Sequence, residues 1–104
     1  MSISIRIPVQ GTEKYFPLVT ADTFKRFWLP GANTLNLHWV KEFDACLLRP
    51  DNVIAIADEL RQLRKWFHET QSPEIAQSLS GSIDEVLPAL ESLKAEKDFS
   101  IWIG

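Results

Sequence analysis

"SISIRIPV", residues 2–9, places Ile3, Ile5 and Ile7 at every second position, with Ser2, Ser4 and Arg6 between them. Side chains of an extended chain alternate between two faces, so this stretch reads as a β-strand with one apolar and one wet face. Pro8 has no N–H to give to a ladder and is expected to end the strand or to confine it to a sheet edge. "QGTEK" after it supplies turn chemistry. The far end of the chain repeats the pattern: in "DFSIWIG", residues 98–104, Phe99, Ile101 and Ile103 alternate with Ser100 and Trp102. Terminal segments fray unless they are tied down, and two apolar ends are expected to dock as neighbours in one sheet. Trp102 falls on the face opposite the isoleucines, so either that face is covered too or the indole covers an edge.

Helical spacing takes over between these strands. "RPDNVIAIADELRQLRKWFHET", residues 49–70, sets Val53, Ile56, Ala57, Leu60, Leu63 and Phe67 three and four apart, one apolar stripe about four turns long. Asp51 or Asn52 is expected to cap its start. "SPEIAQSLSG" then reads as a short helical turn with Ser72 as N-cap, Pro73 in the first turn and Gly81 as a stop. "SIDEVLPALESLKAEKD" opens with a capping box, Ser82 and Glu85, and is expected to kink or restart at Pro88. In the first half, "TADTFKRFWLPG" is expected to form a short helix capped by Thr20 and stopped at Pro30–Gly31. A short helix or extended piece near 35–43 and a brief strand around 45–49 lead into the main helix.

These elements make an α+β fold: a small sheet that includes the N- and C-terminal strands, packed on one face by two main helices at about 51–69 and 82–97. A chain of 104 residues that is 45% hydrophobic suits a single domain with one core. Eleven Lys and Arg against fourteen Asp and Glu leave a net charge of -3, the wrong sign for a protein that holds a phosphate backbone. No nucleic-acid partner is expected. The acidic excess lies in the second half, where Arg61, Arg64 and Lys65 nevertheless form a local basic cluster, read as the solvated face of a helix. One cysteine and no basic-then-apolar leader before residue 2 suit a cytoplasmic protein. No apolar run approaches the roughly 20 residues of a bilayer span, so no membrane role is expected.

Candidate chemistry concentrates in "NLHWVKEFDACLL", residues 36–48, with His38, Glu42, Asp44 and Cys46. As one strand all four would share a face, but "KEFD" is a poor strand centre; as a helix the group disperses. The spacing fits no zinc pattern, and no metal or other cofactor is expected. A cysteine-dependent enzyme using Cys46 with His38 or His68 is one alternative, since such groups meet in space and not in sequence. Cys46 itself lies among small and apolar neighbours and is expected to be a packed core thiol. His68, near the end of the main helix, reads as a helix C-cap partner, and the carboxylate pairs Asp58–Glu59 and Asp84–Glu85 as solvated surface. The isolated glycines make no phosphate loop, and no serine sits in a nucleophile elbow.

Four Trp, six Phe and one Tyr are many for so small a core. Phe27, Trp28 and Trp39 flank "LPGANT", read as a loop, and are the candidate partner-binding residues. The expected function is a non-enzymatic interaction or inhibitor module, for example of the immunity type, that binds another protein. A homo-oligomer subunit assembled through exposed aromatics is the other alternative.

Overall fold

The computed structural model describes residues 2–9, 12–43, 46–93 and 101–104. Four antiparallel strands, β1 Ser2–Val9, β2 Thr12–Thr20, β3 Cys46–Leu48 and β4 Ile101–Ile103, form a sheet in the order β2-β1-β4-β3. The terminal strands are neighbours, as expected: Ile5 lies opposite Ile103, and Ser4 and Gly104 exchange backbone hydrogen bonds of 3.1 and 3.0 Å. Phe99 and residues 10–11, where a turn was expected, lie outside the described residues. β4 is an interior strand, and the side chain of Trp102 lies outside what is described.

β1 is interior too and runs through Pro8, against expectation. Strand geometry supplies the reason. Because Ser4 exchanges both bonds with Gly104, the even-numbered residues of β1 turn their N–H and C=O toward β4. The described β1–β4 register covers only Ile5 and Arg6, so Pro8 has no described strand beside the N–H it lacks. Toward β2 the register shifts between Ile3 and Ser4, whose partners are Val19 and Pro17. Leu18 is the extra residue of this bulge, and it is buried.

A continuous helical run spans 21–35. It comprises α1 Ala21–Thr23, a π turn Phe24–Trp28 and α2 Leu29–Leu35. Thr20 caps it as its side chain predicts, accepting from the Thr23 N–H at 3.2 Å. Pro30 and Gly31 do not stop it. A proline ring clashes with the carbonyl four residues back, and the wider π turn directly before Pro30, with the Leu29 N–H bonded to Phe24 O, relaxes that geometry. "LPGANT" is therefore helix and not loop. The run ends at Asn36, in the left-handed region at φ 57, with Leu37 N–H returning to Ala32 O at 2.8 Å. That is the Schellman arrangement.

After the 3-10 turn Val40–Glu42 and β3 come the main helices, α3 Val53–Thr70 and α4 Pro73–Ser92. Neither Asp51 nor Asn52 caps α3 through its side chain; Asn52 turns back and accepts from the Arg49 N–H at 3.1 Å. α4 is one helix where a break at Gly81 and a new start at Ser82 were expected, and it contains Pro88. Its buried residues Ala76, Leu79, Ile83, Val86 and Leu90 keep one stripe across Gly81, and burying that stripe outweighs the roughly 1 kcal/mol that a helical glycine costs. The expected continuation to 97 lies outside the described residues.

The protein is an α+β domain. Ile3, Ile5, Ile7, Phe16, Ile101 and Ile103 from the sheet meet Val53, Ile56, Leu60, Leu63 and Phe67 of α3 and the α4 stripe in one core. α2 joins through Gly31: a Cβ built there would stand 2.7 Å from Leu63 Cδ1 and 2.9 Å from the Trp66 ring, so only glycine permits this approach.

Candidate functional site

The structure separates the aromatic residues singled out above. Trp28 is fully buried, its ring 6.3 Å from Phe24, 6.2 Å from Phe43 and 6.4 Å from Phe67. It is a core residue and not a surface anchor, because the helical run turns it inward while Phe27, one residue earlier, stays half-buried beside Arg26. Trp39 is also half-buried, with His38 edge-on to its ring at 5.1 Å. Trp28 also lines a depression of about 200 Å³ with Leu18, Thr20, Thr23, Ser78 and Leu79. Its indole N–H is buried without a hydrogen-bond partner among the described residues.

Glu59 is not the solvated carboxylate that its pairing with Asp58 suggested. It is buried, and it accepts from the backbone N–H groups of Trp39 and Val40. The signal was present in the sequence: Glu59 falls between Ile56 and Leu63 on the apolar stripe of α3. Its work is to hold the start of a 3-10 turn. His68 spans the helix pair, its Nε2 3.2 Å from the Oγ of the buried Ser80. The strand containing Cys46 pairs with β4, Cys46 opposite Ile103, and the cysteine side chain lies outside what is described. His68 sits in the last turn of α3, the end away from β3.

The basic cluster is matched by carboxylates. Arg61 pairs with Asp58 and with Glu91, Arg64 with Asp84 at 2.6 Å, and Lys65 with Glu69 at 3.8 Å. Among the described residues no three His, Cys, Asp or Glu side chains gather as they would around a metal ion. No described helix is long and apolar enough to cross a membrane.

The candidate site is the face of the sheet turned away from the helices. The isoleucines of β1 and Phe16 of β2 are buried against the core, whereas the residues that alternate with them, Arg6, Glu13, Tyr15 and Pro17, are exposed. Register sets Tyr15 opposite Arg6, Arg6 opposite Trp102 and Trp102 opposite Leu47, one row across all four strands. Tyr15 is 53% exposed, and Arg6 lies 3.8 Å from Glu13. Tyr and Arg are among the side chains that most often carry binding energy at protein interfaces. Sequence reading found the wet face of β1 but not this row, because the row exists only through pairing between strands distant in the chain.

No protein-family model, curated protein or solved structure matched the chain.

Proposed function

We propose that this chain is a non-enzymatic protein-interaction module, of the kind that serves as an inhibitor, and that it engages another protein through the uncovered sheet face around Arg6 and Tyr15. The observation that carries the reading is the exposure of Tyr15 beside Arg6 on an antiparallel sheet whose other face is packed by helices. Strand pairing already fixes the backbone of such a face, so less conformational entropy is lost when it is covered. A net charge of -3 and the carboxylate partners of Arg61, Arg64 and Lys65 favour protein over nucleic acid as the ligand. A single cysteine suits the cytoplasm as the working compartment.

A photo-crosslinking side chain introduced at Tyr15, and separately at the exposed Glu74 on α4, tests the reading in cells. The expected result is an adduct between position 15 and a protein other than this chain, identified by mass spectrometry, and no such adduct from position 74. Excess unmodified protein is expected to suppress it, whereas an Arg6→Glu variant is not. Equal labelling from both positions, or full competition by Arg6→Glu, would overturn the proposal.

A further inference from the structure

We propose that the outer edge of β2 pairs antiparallel with β2 of a second copy of this chain, about a two-fold axis centred on Tyr15. β2 is an outermost strand of the sheet, and Thr12, Glu13, Lys14, Tyr15 and Pro17 are all exposed. The backbone direction follows from the Ser4–Gly104 bonds. Odd-numbered residues of β1 face β2, so their partners Phe16, Lys14 and Thr12 spend their backbone groups inward. Glu13, Tyr15 and Pro17 therefore turn theirs to the open edge. Pro17 stands where its missing N–H costs β1 nothing.

Symmetry and charge then select the register. A two-fold axis through a sheet edge must centre on a residue. Centred on Glu13 it sets two carboxylates opposite each other, and centred on Lys14 two ammonium groups; like charges directly opposite destabilise a ladder. Centred on Phe16 it sets Pro17 against Tyr15 of the second copy on both sides and loses a bond each time. Centred on Tyr15, each Tyr15 N–H donates to the other Tyr15 carbonyl and each Glu13 N–H to the Pro17 carbonyl of the second copy, so four bonds form where the Phe16 register forms two among these residues, although Pro17 again returns none. Lys14 then lies opposite Phe16 of the second copy, a cation beside a ring, as it already lies over its own Phe16 at 5.3 Å. The bulge at Leu18 twists the strand away and limits the contact to this stretch. Two copies joined in this way form one continuous sheet with their Arg6–Tyr15 rows end to end. The pairing uses backbone groups of the edge, so it stands apart from the partner reading above.

Light scattering at roughly 100 µM, above the micromolar Kd range, is expected to give twice the chain mass. Tyr15→Pro removes an outward N–H together with the exposed phenol ring and is expected to give the monomer mass with a melting transition that stays cooperative. Should that variant fail to fold, cysteine pairing decides. Tyr15→Cys is expected to form a disulfide between copies under mild oxidation, mapped to position 15 by mass spectrometry, because a hydrogen-bonded antiparallel pair holds its Cα atoms about 5.5 Å apart. Thr12→Cys is expected not to, since in this register its copies stand about 20 Å apart. A monomeric wild type, a dimer that survives in folded Tyr15→Pro, or equal cross-linking at both positions would overturn the inference. Arg6→Glu separates the two proposals, as it is expected to lose the partner adduct and keep the dimer.

Discussion

The carboxylate of Glu59 closes on the backbone N–H of Trp39, with both oxygens in hydrogen-bond range at 2.8 and 3.1 Å. Trp39 precedes the 3-10 turn Val40–Glu42, and no side chain of its own segment caps that turn. A residue twenty positions later does so instead. Removing one partner of a buried hydrogen bond leaves the other unpaid, at about 1–3 kcal/mol for each such group. Glu59→Ala is expected to lower stability by at least that amount in urea unfolding, and Glu59→Gln, which keeps an acceptor oxygen, by less. Equal stability of Glu59→Ala and the wild type would show that water replaces the carboxylate at no cost.

The two helical glycines are expected to respond in opposite directions. At Gly31 a methyl group meets Leu63 and the Trp66 ring at 2.7 and 2.9 Å, so Gly31→Ala is expected to force α2 and α3 apart and to cost about 1–3 kcal/mol, the usual range for overpacking. At Gly81 nothing lies within 4 Å of an added Cβ, and Gly81→Ala is expected to stabilise by about 0.4–1 kcal/mol. Thermal melting of the two variants side by side checks both signs.

The pattern of these two sites explains what the sequence disclosed. Period was legible: the alternating isoleucines marked β1 and β4, and the stripe from Val53 to Phe67 marked α3, because each reports its own buried face. Breakers were misread. Gly81 and Pro30 carry local signals of termination, but the Ala76–Leu90 stripe and the π turn before Pro30 override them through packing and geometry that no short window contains. The face proposed to bind a partner was not legible for a related reason. Phe27, Trp28 and Trp39 are large aromatics near a Pro–Gly pair, whereas Arg6 and Tyr15 gain meaning only once β1 and β2 lie in register.

Trp28 gives a stability test of that correction. A fully buried tryptophan replaced by alanine commonly costs about 3–5 kcal/mol, and Trp28→Ala is expected to lose that much. Trp28→Phe keeps an aromatic ring among Phe24, Phe43 and Phe67 and removes an indole N–H that has no partner among the described residues. Its loss is expected to be well under half that of alanine. A Trp28→Ala variant that melts like the wild type would return this residue to the surface.

The C-terminal strand is expected to be indispensable. β4 lies between β1 and β3, so without it β3 has no described strand partner and β1 loses one of its two. Ile101 and Ile103 are both fully buried. Each such side chain contributes on the order of 1.5–3 kcal/mol by burial, and the paired backbone bonds at Ser4 and Gly104 go with them. The total approaches the whole stability of a typical domain, about 5–15 kcal/mol. Deleting residues 101–104 is therefore expected to abolish the cooperative melting transition seen by circular dichroism, whereas Ile103→Ala alone, at about 2–5 kcal/mol, is expected to lower it and keep it. A truncated chain that still melts cooperatively would show that β1, β2 and the helices hold the core without the strand that joins the two ends of the chain.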